Sequence, residues 1–291
     1  MFKRICRRLM GVALLAGAGA VHAFIPQAGI WAMPQELNGK PGRGLVVDVQ
    51  NGVLSLQMYA YEQSGRPTFY LATGNLIDNR LTTELKHYEG GRYFGSGERT
   101  GVEKGSAGLV TVRFVDGMNG FITFPGEAEK PISRFNFGYA PVPESLKGIW
   151  FFNKYSPALG WQVDVPMLTT VLPATPTGSG VVLSSDRLFA CEHIVRGELA
   201  GVVVCAKYIS AGSSALQHVY LFKYSVHDGE GDWYPYNGSA PYGLYTRRIG
   251  TEQQLTGLVR KAVEVPLSEE TQAGIVQSMA QVVSFLLQQK P

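Results

Sequence analysis

Alternation of apolar and polar residues, not helical spacing, dominates this chain. In VLSLQMYAYEQ, Leu54, Leu56, Met58 and Ala60 fall on one face of an extended strand, and Ser55, Gln57, Tyr59 and Tyr61 on the other, because successive strand side chains point to opposite sides. SGRP then turns the chain into TFYLATG, which predicts a hairpin. GLVTVRFVDGMNGFITF predicts another, with DGMNG as the turn between Val115 and Phe121. Further on, GVVVCAKY and HVYLFKYSV read as strands, and HDGEGD, from His227 to Asp232, as the turn into WYPY. Many short strands with glycine-rich turns argue for antiparallel sandwiches or barrels.

The tail has a different period. PLSEETQAGIVQSMAQVVSFLLQQ offers Ser268 as an N-cap, Glu269 and Glu270 in a first turn, and Ile275, Met279, Val282, Val283 and Leu286 at helical spacing. Val276, Phe285 and Leu287 widen the apolar arc. The expectation is a helix packed on a barrel wall or across a junction, with a partner-binding or membrane-surface helix as the alternative.

GIW occurs twice, at Gly29-Ile30-Trp31 and Gly148-Ile149-Trp150. Each copy leads to Gly-x-x-Val-Asp-Val, ending at Val49 in the first and at Val165 in the second. Each also finishes on Ser/Thr-Arg, in ISRF (Arg134) and YTRR (Arg247). One unit used twice accounts for this. The fold class expected is mainly β: two tandem antiparallel β-barrel units over 24–140 and 141–250, then a C-terminal helical segment over 251–291.

The first residues alter the charge argument. MFKRICRR supplies cations, LMGVALLAGAGA an apolar core and VHA a small-x-small cleavage site, so 1–23 reads as a secretory signal peptide cut after Ala23. Lys3, Arg4, Arg7 and Arg8 leave with it, taking 26 cations against 23 acids to 22 against 23. The basic balance belongs to the leader, and no chain-wide case for nucleic acid remains. No transmembrane segment follows. The expected location is the periplasm or the medium. Cys6 also leaves with the leader, and Cys191 and Cys205, at a hairpin spacing in an oxidising compartment, are expected to form a disulfide. A free Cys191 beside His193 would instead offer a nucleophile pair, but neither Asn nor Asp can be assigned to orient it.

A GxW on the first strand, up-and-down strands, and a Ser/Thr-Arg on the last resemble the calycin barrels, the group of lipocalins and avidins. The resemblance implies that the first-strand tryptophan closes one end of each barrel and that the last-strand arginine packs across its ring, pairing Trp31 with Arg134 and Trp150 with Arg247. YLFKYSVHDGEGDWYPYNGSAPYGLYTRR is also similar to the end of avidin-type chains, and MYAYEQSGRPTFYLATG is like a repeat of exported bacterial proteins of unknown function. Departures in the site positions, with Asn153 and Ser156 at a shifted spacing and no such pair after Trp31, leave biotin unpredicted.

The sequence contains neither a Gly-x-Ser-x-Gly elbow, a His-Glu-x-x-His nor a phosphate loop. Asp228, Glu230 and Asp232 alternate in DGEGD without the glycine and closing glutamate of a calcium loop. No cofactor, metal or catalytic group is expected. Two binding readings stay open. If Tyr59, Tyr61, Phe69, Tyr220, Phe222 and Tyr224 face the lumens, the barrels hold a small apolar or aromatic ligand. If aliphatic faces fill the lumens, these aromatics form an interface or a surface for a glycan or protein partner. Pleat arithmetic favours the second packing for the Leu54 strand and leaves the His218 strand ambiguous. An exported hydrolase is a distant third reading.

Overall fold

The computed structural model describes residues 24–236, 240–251 and 266–289, so the expected signal segment lies outside the described residues. The chain is mainly β. Its first half runs through β1 (Gly29–Ala32), β2 (Gly44–Gln50), β3 (Val53–Tyr61), β4 (Pro67–Asn75), β5 (Arg80–Glu89), β6 (Val102–Phe114), β7 (Asn119–Thr123) and β8 (Lys130–Arg134). Each strand pairs antiparallel with the next, and β8 returns to β1 through Trp31↔Arg134 and Ala32↔Ser133, which closes an eight-stranded barrel. Closure removes the open edges of the sheet. The interior is mainly aliphatic: Leu45, Val47, Leu54, Leu56, Val112 and Ile122 are buried in one cluster with Trp31, Phe114 and Phe124.

The second half runs through β9 (Gly148–Ser156), β10 (Gly160–Asp164), β11 (Met167–Leu172), β12 (Gly178–Ser184), β13 (Phe189–Ile194), β14 (Val202–Tyr208), β15 (Leu216–Ser225), β16 (Asp228–Pro235) and β17 (Tyr242–Gly250). One edge of β9 takes β10 and β11, its other edge takes β17, and the sheet comes round on itself as a barrel-like form. β10 and β11 act as one strand interrupted at Val165-Pro166, where proline has no N–H for the ladder. The Pro166 carbonyl still accepts from the Trp150 amide at 3.0 Å. DGEGD lies in β16 and not in a turn as expected; only Val226 and His227 separate β15 from β16.

This unit is apolar on both faces. Trp150, Phe152, Phe189, Tyr220, Phe222 and Trp233 pack inside with Cys191 and Cys205, which form the expected disulfide. Val181, Leu183, Ala190, Val204, Ala206 and Val219 point outward beneath the helix α1 (Glu269–Gln288), packing on Ile275, Met279 and Val282. A sheet covered on both sides shows no alternation of polar and apolar residues, which explains why the His218 strand read ambiguously. Ser268 caps α1 by accepting from the Thr271 amide at 3.2 Å, and Tyr208 meets Ser278 at 2.8 Å.

The two GIW corners share one geometry. Gly29 and Gly148 have φ of +122° and +123°. A Cβ would strike the Arg134 guanidinium at the first and the Gly250 carbonyl at the second. Each indole N–H donates to the carbonyl four residues upstream, Trp31 to Gln27 at 2.9 Å and Trp150 to Leu146 at 2.7 Å. The Val-Asp-Val match does not share this correspondence. Gly29 pairs with Val47, while Gly148 pairs with Leu168, five residues beyond Val163.

The closing arginines also need correction. Trp150 pairs with Arg248, not Arg247, and it is the Arg248 guanidinium that lies over the indole, 4.6 Å from its centroid. Arg247, one residue away on the opposite face of β17, is exposed and reaches Asp228 at 3.4 Å. Arg134 is in register with Trp31, but its guanidinium lies against Gly29 and donates to the Ala28, Ile30 and Phe135 carbonyls, not across the ring. Trp31 instead meets Phe114 edge-on at 5.2 Å.

Candidate ligand site at the junction of the barrels

The connection from β8 to β9, residues 135–147, is FNFGYAPVPESLK. Asn136 folds it locally, its side chain accepting from the Tyr139 amide and donating to the Tyr139 carbonyl, both at 3.1 Å. Pro143, with φ already set for a turn, opens a short 3-10 turn, Pro143–Leu146. The barrels also touch directly. Gln27, held to the first barrel by its amide hydrogen bond to the Gly117 carbonyl at 2.8 Å, donates from its side chain to the Asp228 carbonyl of the second at 2.9 Å.

Between these contacts lies a cleft of about 960 Å³, bounded by the connection, by Gly29, Ile30 and Arg134 of the first barrel, and by Val226 and Arg248 of the second. Ile30 and Phe137 hold apolar surface out to solvent on its walls, at 42% and 75% exposure. Arg248 forms its floor. It is 3% exposed, and its guanidinium carbon sits 4.3 Å from the Tyr139 ring centroid and 5.4 Å from that of Tyr224, in addition to the Trp150 contact. One terminal nitrogen donates to the Ser145 carbonyl at 2.5 Å, while the buried Nε has no hydrogen-bond partner among the described residues. Rings on three sides stabilise the cation, and among the described residues no carboxylate pairs with it.

Ser145 and His193 line the cleft wall and the lumen just behind it. Ser145 Oγ donates to the Val142 carbonyl at 2.8 Å and lies 3.0 Å from His193 Nε2. Nε2 also lies 3.3 Å from the Tyr224 hydroxyl, which is itself 3.3 Å from Ser145 Oγ, so the three side chains form one polar cluster. Burial, reinforced by Arg248, lowers the His193 pKa to about 4, which keeps the ring neutral at neutral pH.

A second polar group fills the far end of the same lumen. Lys154 lies four residues along β9 from Trp150, roughly 13 Å away in an extended strand, and is 2% exposed. Its ammonium donates to Asp164 at 2.6 Å and to the Tyr220 hydroxyl at 3.1 Å; Tyr220 donates to Asp164 at 2.7 Å, and Lys207 pairs with Asp164 at 2.5 Å. Burial pulls the Asp164 carboxyl upward, but hydrogen bonds from Lys154, Lys207 and Tyr220 outweigh it and hold the pKa below the usual carboxylate range. The group is internally satisfied.

The residues singled out in the sequence are thus divided. Tyr59, Tyr61 and Phe69 lie outside the first barrel at 53%, 49% and 45% exposure, with Tyr59 directly opposite Phe69. Tyr220 and Phe222 are fully packed inside the second barrel, and Tyr224 backs onto the cleft through Arg248 and Ser145. Phe137, Tyr139, Ser145 and Arg248 were not singled out. Their available signal was three aromatics, Phe135, Phe137 and Tyr139, crowded into a short Gly/Pro-containing connection. Among the described residues no cluster of His, Cys, Asp and Glu has the makings of a metal site, and no helix is long and apolar enough to cross a membrane. Comparison with known proteins finds no matching family, no similar curated protein and no similar solved structure.

Proposed function

We propose that this chain is an exported, non-enzymatic binding protein, built of tandem calycin-like barrels, that holds its small ligand in the cleft between the barrels and not in a lumen. The observation that carries this reading is the contrast in packing. The lumens are occupied by the protein's own side chains, mainly aliphatic in the first barrel and richer in aromatics in the second, whereas the cleft of about 960 Å³ presents exposed Ile30 and Phe137 over a caged guanidinium. Ligand pockets favour such junctions and such a mixture of apolar wall and few polar groups. The buried Cys191–Cys205 disulfide supports an oxidising destination.

The test is native mass spectrometry of the mature protein purified from its exported compartment. A bound adduct lost in Tyr139→Ala and kept in Tyr59→Ala is the expected result. An adduct kept in Tyr139→Ala and lost on opening the second lumen with Phe222→Ala would return the ligand to the barrel. A second reading, a surface interaction module for a glycan or protein partner, draws on the exposed Tyr59, Tyr61 and Phe69 of the β3–β4 hairpin. Flat exposed rings suit sugar stacking or a protein contact. Tyr59→Ser with Phe69→Ser would abolish capture on immobilised glycans under that reading and change nothing under the first.

A further inference from the structure

Two guanidinium groups meet at the cleft, Arg134 from the first barrel and Arg248 from the second, and among the described residues neither pairs with the one lining carboxylate, the exposed Glu144. The other nearby acid, Asp228, faces Arg134 but is engaged by the Tyr245 hydroxyl at 2.6 Å and by Arg247 at 3.4 Å. Arg134 spends its Nε and Nη1 on backbone carbonyls. Arg248 keeps a buried Nε with no acceptor among the described residues, although an unmade hydrogen bond of a buried charged group is costly. A protein that needed these cations only for packing would be expected to supply a carboxylate, as the far end of the second lumen does with Asp164.

We propose that the cleft selects an organic anion, an apolar or aromatic body carrying a carboxylate or sulfonate, whose charged group sits between Arg134 and Arg248 while its body lies against Ile30, Phe137 and Tyr139. The planar guanidinium fork matches a carboxylate or sulfonate, and the apolar walls lower the local dielectric and strengthen the attraction. The inference rests on the cleft reading and adds to it the class of ligand.

The test uses two fluorescent probes with the same ring system, 1-anilinonaphthalene-8-sulfonate and the uncharged N-phenyl-1-naphthylamine, titrated against the mature full chain. The sulfonate is expected to bind at least tenfold more tightly. Arg134→Gln, on a half-exposed residue, should remove most of that advantage and leave the neutral probe within twofold. Phe137→Ala, at an exposed position, should weaken both. Raising the salt concentration should weaken the sulfonate selectively. Equal affinity for the two probes, both reduced by Phe137→Ala, would overturn the anion inference and leave the cleft standing. Binding indifferent to both substitutions, or no binding of either probe, would overturn the cleft reading and the inference with it. Arg248→Gln is a supporting variant, interpreted only if its circular dichroism matches wild type.

Discussion

Arg247 and Arg248 are neighbours in the sequence with opposite surroundings: one is exposed beside Asp228, the other is caged by Tyr139, Trp150 and Tyr224. Arg247→Gln should change stability by less than about 0.5 kcal/mol, whereas Arg248→Gln should cost about 2–4 kcal/mol through lost cation-π contacts, a buried hydrogen bond and packing; urea denaturation distinguishes them. The sequence points to an arginine over Trp150 but selects the wrong one, because a one-residue slip in strand register exchanges the two faces and YTRR has an arginine on each. The GIW glycines permit a similar comparison. Gly148→Ala would drive a Cβ into the Gly250 backbone, while Gly29→Ala meets the end of the flexible Arg134 side chain. The positive φ penalises both, so both should lower the melting temperature, Gly148→Ala by more.

At the scale of elements, β3 and α1 were legible because each has one buried face and one exposed face. Their periods of two and 3.6 therefore appear directly in the residue pattern. The wall between lumen and helix was not: β12 is GSGVVLS and β13 is FACEHI, nearly all buried on both faces. The repeated Val-Asp-Val misled for a related reason. In the second unit the break at Val165-Pro166 lengthens the strand facing β9, and Asp164 points to Lys154 inside the lumen. Met279 lies fully buried between α1 and the wall, and Met279→Ala should cost about 2–4 kcal/mol, measured by thermal melting. Replacing Cys191 and Cys205 together by alanine should cost about 2–3 kcal/mol, given their separation of 14 residues.

For the whole molecule, acid is the natural stress. His193 and His218 are each lowered to about 4 by burial, with Arg248 adding to the effect at His193 and Lys154 and Lys207 at His218. Between pH 6.5 and about 4 the unfolded chain binds protons that the folded chain refuses, so stability is full above 6.5 and falls as pH drops through that window. The His193 contribution is about 3 kcal/mol. Asp164, held below its ordinary range, adds loss in the same direction at lower pH. Urea midpoints should therefore decline from pH 7 to pH 4.5, and less steeply in His193→Gln. The cleft itself was beyond the reach of the sequence. Its contacts join residues far apart in the chain, such as Arg248 with Ser145, 103 positions away, and Gln27 with Asp228, 201 positions away, and no local period encodes how two barrels meet. The central claim is that ligand lies at this meeting point. Hydrogen-deuterium exchange with and without 1-anilinonaphthalene-8-sulfonate reads it directly: protection is predicted in 135–147 and at the cleft ends of β1 and β17, whereas protection confined to the β3–β4 hairpin or to β15, with 135–147 unchanged, would contradict it.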